Sequence, residues 1–329
     1  MLALAEFTPW YWVGFVSAVL VFLALDLGLF HREARVVTFK EALKWTLIWF
    51  MLAVVFAIGL GLLHGRRDES LKFFTGYFIE LSLSMDNVFV IALIFGFFRV
   101  PEEFQHRVLF WGILGALLMR GAMIWAGVEL INRFDWLLYL FGGFLVFTGV
   151  KMLFAKDEGV DPEKSLVVRI AKKLLPISPE FDGQKFVTVA NGRKVFTLLF
   201  LVLLMVESTD LIFAVDSIPA IFGVTHEPFI VFTSNVFAIL GLRSLYFVLA
   251  GAIGYFRYLK TGLAVILVFI GVKMLIDPHE KKPQWYQYDI PDFTSLLVVV
   301  TIITISILAS LISARRERER AVNSAGKAP

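Results

Sequence analysis

An all-α polytopic membrane protein of about nine transmembrane helices, carrying two inverted three-helix repeats, is the fold class that this sequence predicts. Three observations predict it. The 329 residues are 58% hydrophobic and only 18% charged, with a mean hydropathy of +0.78, too apolar for a water-soluble core of this size. The apolar residues gather into stretches of about 20, the length that crosses a bilayer. Charged landmarks inside two groups of three stretches recur at near-constant spacing. With 34 Phe and a net charge of only +3, disorder and a basic nucleic-acid-binding module are excluded.

The apolar stretches run over residues 10–30, 45–63, 73–98, 108–130, 136–154, 196–223, 229–249, 261–276 and 293–313. The first Lys or Arg is Arg32, so the first stretch lacks a signal peptide's basic leader and reads as a retained span. Alternate connections, from residues 31–44 to the RRERER tail, hold more than twenty of the 31 lysines and arginines; the opposite set holds six. By the positive-inside rule the N-terminus is outside and the C-terminus cytoplasmic. The longest connection, residues 155–195, joins an amphipathic stretch (SLVVRIAKKLL) to alternating residues around Asn191-Gly192, a hairpin signal in a small cytoplasmic subdomain.

The fifth span ends TGVKMLF and the eighth IGVKMLI. Asp86 matches Asp210 at an offset of 124, Arg120 matches Arg243 at 123, and Lys151 matches Lys273 at 122. The chain therefore divides into two N-terminal helices (1–72), a first three-helix repeat (73–154), the 155–195 loop, a second repeat (196–276), and a final helix with a basic tail (277–329). Because each repeat has an odd number of spans, the two enter the membrane from opposite sides, as in many secondary transporters.

The third span contains Glu80, Ser84, Asp86 and Asn87, and the sixth Glu207, Asp210, Asp216 and Ser217, all near mid-span. An Asp at a helix centre costs about 2.5–3.5 kcal/mol to insert, so five acids together cost more than ~12 kcal/mol. That matches the whole net stability of a typical domain, about 5–15 kcal/mol. They persist only if paired, protonated or bound to a cation. At about 100° per residue, Glu80 and Asn87 share a face, as do Asp210 and Ser217, with Glu207 one turn from Asp210. Asp86 and Asp216 lie about 120° away. Either the carboxylates face different partners, or both helices unwind around SLSMDN and VDSIP, where Pro219 lies.

The predicted metal-binding residues are Glu80, Asp86, Asn87, Glu207, Asp210 and Asp216, with Asp26, Ser84, Asn235, Arg120 and Arg243 as accessory candidates. Arg120 and Arg243 read first as structural partners for a carboxylate or carbonyl, and Lys151 and Lys273 as snorkelling side chains. Glu129 reads as interfacial. The chain has no cysteine, and its five histidines, His31, His64, His106, His226 and His279, map to connections or span ends. Oxygen ligands suit a hard or borderline cation, Mn²⁺, Ca²⁺ or Mg²⁺. No nucleotide-binding loop or nucleophile constellation is present, which points away from an enzyme and from ATP-driven transport within this chain.

Five segments resemble the TerC family of integral membrane proteins, within the LysE-like superfamily of exporters. They are LDLGLFHR (25–32), ELSLSMDNVFV (80–90), VESTDLIFAVDSIPAIFGVT (206–225), TSNVFAILGLRSLYF (233–247) and the repeated GVKML. The resemblance implies manganese efflux, supply of manganese to exported metalloenzymes, and a historical link with tellurium resistance that fits an acidic site poorly. It carries the family's motif carboxylates onto Glu80, Asp86, Glu207, Asp210 and Asp216, with Asn87 and Asn235 nearby. Leu198 departs from the proline that many members have near the start of that helix. The expectation is a secondary transporter exporting Mn²⁺ by proton antiport, with the metal as substrate and no tightly bound cofactor. Ca²⁺/H⁺ exchange and a non-transporting metallochaperone or scaffold are the alternatives. Expected partners are lipids, divalent cations, protons and a second copy or another membrane protein, not nucleic acid.

Overall fold

The computed structural model describes residues 8–25, 38–63, 67–134, 136–154, 166–190, 192–250, 258–277, 287–288 and 290–325. Its helices are α1 (Pro9–Leu25), α2 (Phe39–Leu63), α3 (Arg67–Phe97), α4 (Glu102–Arg133), α5 (Leu137–Phe154), α6 (Leu166–Leu174), α7 (Leu198–Phe222), α8 (Pro228–Ala250), α9 (Leu259–Ile276) and α10 (Asp292–Ala325). One hairpin, β1 (Val187–Ala190) and β2 (Arg193–Phe196), precedes α7. Eight helices, α2 to α5 and α7 to α10, are long and apolar enough to cross a membrane, while α1 is a shorter apolar helix. The protein is a multi-pass membrane protein. Of the nine expected spans, the first would run on through residues 26–30, which lie outside the described residues.

Helix α8 sits at the centre, packed against α2, α3 and α4. Helix α3 also packs along α7, α4 along α7, and α5 along α9, with α10 closing over α3 and α9. Outward faces carry apolar side chains such as Leu118, Trp125, Phe147 and Ile212, as lipid-facing surfaces require. Inward faces form apolar clusters: Ile79, Leu145, Ile218, Ile221 and Ile270 belong to one, Ile94, Val108, Leu201, Val202 and Met205 to a second. The polar cluster described below lies where α3, α4, α7 and α8 meet.

Helix directions follow from facing residues. Gly76, Glu80 and Asn87 of α3 meet Ile221, Ser217 and Asp210 of α7, in reverse order, so these two helices are antiparallel. Gly112, Gly115 and Gly127 of α4 meet Val206, Glu207 and Phe222, in the same order, so α4 and α7 are parallel. Neither α3 nor α7 is interrupted. Of the two readings, unwinding around SLSMDN and VDSIP does not occur, and the carboxylates face different partners. Pro219 lies in the last turn of α7, where a missing N–H costs a single hydrogen bond. The hydroxyls of Ser208 and Thr209, earlier on α7, donate to the carbonyls of Met205 and Val206.

The hairpin signal at Asn191-Gly192 corresponds to β1 and β2, paired antiparallel with Ala190 opposite Arg193. Gly192 has φ of 75°, the left-handed region that glycine adopts without cost. Phe196 stacks on Phe200 at 4.4 Å and fixes the hairpin to the start of α7. Helix α6 buries Val168 and Ala171 and turns Arg169, Lys172 and Lys173 outward. Asp182 accepts hydrogen bonds from Thr188 at 2.6 Å and Lys185 at 3.1 Å, which hold its carboxyl below its ordinary range.

The α5–α9 contact depends on small residues. A Cβ on Gly149 would stand 2.7 Å from the carbonyl oxygen of Ala264, and one on Gly271 would stand 2.7 Å from that of Gly142. Such close approach is how helices associate where no hydrophobic force separates them from lipid. Gly149→Ala is therefore expected to lower stability by about 1–3 kcal/mol through overpacking. Gly143→Ala, whose Cβ meets nothing within 4 Å, should leave it almost unchanged. Thermal unfolding of the purified variants in detergent checks this, and equal midpoints for the two would refute it.

Candidate functional site

Each contributing helix supplies one polar stripe. Glu80, Ser84 and Asn87 follow at steps of four and three on α3, so they share a face, and Glu207, Asp210 and Ser217, at steps of three and seven, share one on α7. Arg120 of α4 projects between them and is 2% exposed. Its Nε and Nη2 donate to Asp210 Oδ2 at 3.1 Å and Oδ1 at 2.7 Å, a side-on bidentate pair. Its Nη1 donates to Glu80 Oε1 and, at 3.3 Å, to Ser217 Oγ. One guanidinium thus bridges two carboxylates from different helices.

Two asparagines complete the carboxylates' partners. Asn87 Nδ2 donates to Asp210 Oδ1 at 3.2 Å, and Asn235 Nδ2 of α8 donates to Glu80 Oε2 at 3.1 Å. Glu80 is 0% exposed, and both asparagines are buried. An ionised carboxylate can only accept, so each amide presents its NH₂ group and turns its carbonyl away. Those two carbonyl oxygens, together with Ser84 Oγ and Glu207 Oε2, are buried with no hydrogen-bond partner. Four orphaned acceptors around one cluster are a departure from ordinary burial, where almost every polar atom is satisfied. Glu207, half-buried, sets its carboxylate against Gly115 of α4, where a Cβ would overlap it.

Not every predicted residue joins this cluster. Asp216 accepts a hydrogen bond from Thr148 and has Lys151 nearby, both on α5. Asp86 is half-buried and lies about 120° round α3 from Glu80. Arg243 is half-buried on α8, while Asp26 lies outside the described residues, as do His31, His64 and His279. Lys151 is exposed at the end of α5, but Lys273 is buried and faces Asp292 of α10 at 3.8 Å, which replaces the expected snorkelling with an ion pair. Glu129 is exposed and paired with Arg133 at 2.6 Å. Among the described residues, no three Asp, Glu or His side chains are gathered so as to hold a metal ion. Arg120 stands between the two carboxylates best placed to do so.

The TerC integral membrane protein family model matches residues 65–318, which include every residue of this cluster. The chain belongs to the TerC family. It is 52% identical over 308 residues to an uncharacterized membrane protein of Myxococcus xanthus, covering 94% of each chain. It is 47% identical over 323 residues to an Escherichia coli K12 protein named as a proposed membrane-bound redox modulator, Alx, covering 95% of this chain and 98% of that one. An uncharacterized membrane protein of Rickettsia felis is 41% identical over 305 residues. No solved structure matches the chain.

Sequence reasoning missed Gly115, although Gly112 and Gly115, three residues apart, are a small-residue signal for close helix approach. It treated Arg120 as one accessory partner among several, whereas Arg120 is the centre of the network. Removing one member of a buried ion pair costs about 3–5 kcal/mol because the remaining charge is uncompensated. Arg120→Met is expected to lose that much. Arg133→Met, which removes an exposed pair, should cost about 0–1 kcal/mol. Thermal unfolding followed by tryptophan fluorescence separates the two, and similar losses would show that the Arg120 network is not a stabilising element.

Proposed function

We propose that this TerC-family protein is a secondary transporter that exports a divalent cation, Mn²⁺ in the first place, from the bacterial cytoplasm by proton antiport. The carrying observation is the set of orphaned oxygens, Ser84 Oγ, Asn87 Oδ1, Asn235 Oδ1 and Glu207 Oε2, around Glu80 and Asp210. Buried oxygens that no donor satisfies are atoms that a cation could ligate. All-oxygen donors without thiol or imidazole suit Mn²⁺, Ca²⁺ or Mg²⁺. Asp86 and Asp216 each stand one residue before a cluster member, Asn87 and Ser217, at the same depth as the cluster but on other faces of α3 and α7.

Packing supports an inverted-repeat reading, with α3–α5 and α7–α9 as the repeats. Gly142 meets Gly271 while Gly149 meets Ala264, and these residues stand in the same places in the two repeats. Such an exchange of partners is expected when a two-fold axis relates the helices. The excess of Lys and Arg in alternate connections supports an outside N-terminus and a cytoplasmic C-terminus in the inner membrane.

Charge balance supports the coupling. Counted as ionised, Glu80, Asp210 and Glu207 outweigh Arg120 by two negative charges, which one dication or two protons neutralise. Moving a dication outward against an inside-negative potential costs about 4.6 kcal/mol per 100 mV, and counter-movement of two protons cancels that work. Mn²⁺ flux and lumenal pH, recorded together in proteoliposomes, provide the test. The expected result is two protons per Mn²⁺, a rate insensitive to an imposed potassium diffusion potential, and loss of at least about tenfold in Asp210→Asn, the factor that ~1.4 kcal/mol gives. Unchanged flux in Asp210→Asn would remove the site, and flux without proton movement would remove the coupling.

Ca²⁺ competition in the same vesicles decides between Mn²⁺ and Ca²⁺ as substrate. A metallochaperone or scaffold role predicts binding without flux. The redox description in some relatives' names does not extend to thiol chemistry here, because the chain has no cysteine. A redox effect of this protein would run through the metal supplied to other proteins.

A further inference from the structure

We propose that Arg120 is a tethered cation that competes with the transported ion. It occupies the site between Glu80 and Asp210 and moves one helical turn along α7 onto Glu207 when the ion enters. This rests on the cation-transport reading above. Donors take up the carboxylates: Arg120 and Asn87 face Asp210, while Arg120 and Asn235 face Glu80. A metal ion cannot take both carboxylates while the guanidinium remains between them. Arg120 must move aside.

A buried guanidinium can move only to another anion, because an uncompensated charge in this setting is prohibitive. Glu207 meets the requirement. It lies three residues before Asp210 on the same face of α7, about 4.5 Å along the axis, and its Oε2 has no partner. Its carboxylate rests on Gly115, five residues before Arg120 on the same helix. Because α4 and α7 are parallel, and long helical side chains lean towards the N-terminus of their own helix, Arg120 already points the right way. Gly115 has no side chain to obstruct that position.

Charges balance in the displaced arrangement: Arg120 pairs with Glu207, and one dication pairs with Glu80 and Asp210. Asn87 and Asn235 need only a rotation about one bond to exchange the NH₂ that serves a carboxylate for the carbonyl oxygen that serves a metal. When the ion leaves, the guanidinium returns and keeps Glu80 and Asp210 paired. The site then never stands as two bare carboxylates open to any passing cation.

Mn²⁺ titration of the purified full-length protein, with free ion read by electron paramagnetic resonance, tests this in four variants. Arg120→Gln is expected to bind Mn²⁺ about tenfold tighter than wild type, the gain when a competitor leaves a site open a tenth of the time. Glu207→Gln should weaken binding several-fold in the wild-type background and have little effect in the Arg120→Gln background, a coupling that a double-mutant cycle reports. Equal weakening in both backgrounds would make Glu207 a direct ligand and overturn the displacement, as would unchanged or weaker binding in Arg120→Gln. Asp210→Asn distinguishes the two levels: if it binds Mn²⁺ like wild type, the cation reading itself fails.

A second readout avoids substitution at Arg120. Mn²⁺-induced infrared difference spectra of the wild type should carry shifted guanidinium bands, and these should disappear in Glu207→Gln that still binds Mn²⁺. Absence of those bands in the wild type would overturn the displacement.

Discussion

A single buried guanidinium organises this protein. Arg120 holds Glu80 of α3 and Asp210 of α7 together in the interior of the bundle, and removing one of the paired charges would leave another uncompensated. The ion pairs also determine how the helices meet. Helix α3 must turn its Glu80–Asn87 face to α7, α7 must turn Asp210 and Ser217 back to it, and α4 must run alongside with Arg120 between them. Asn235 ties α8 to the same point. Four helices are brought into register by hydrogen bonds between groups that lipid cannot satisfy.

The packing around that centre shows how close approach is achieved. Glycines at the α5–α9 contact remove the side chains that would otherwise separate the backbones, and Gly115 leaves room beside the central arginine for a third carboxylate. Large aromatic residues fill the space on the other side of α8, where Phe15, Phe56, Phe229 and Phe237 contact one another edge-on or tilted. The two contact types serve different purposes. Small residues permit a tight seam between α5 and α9, while aromatic residues join α1 and α2 to the bundle.

Much of the architecture is legible along the chain because the membrane imposes strong one-dimensional constraints. Apolar length marks the spans, and a glycine flanked by alternating residues marks the hairpin. Helical periodicity placed Glu80 with Asn87 and Asp210 with Ser217, and these pairs do share faces in the structure. The same periodicity left Asp86 and Asp216 open between two explanations, because a local sequence cannot show whether a polar, proline-containing run stays wound. It stays wound, with Pro219 in the last turn, where its missing N–H costs a single hydrogen bond. Asp216 consequently turns to Thr148 on α5, away from the central face.

The amino-acid sequence by itself determined that the chain crosses the membrane several times, which residues carry charge into the apolar interior, and that their ligand atoms are oxygens. These are properties of composition and spacing, and they hold however the helices assemble. Tertiary structure alone decided which charges meet. Arg120 and Asp210 are 90 residues apart, and Glu80 and Asn235 are 155 apart, so no local pattern relates them. Their pairing follows from the need of each buried charge for a partner, and only helix packing specifies which partner is within reach.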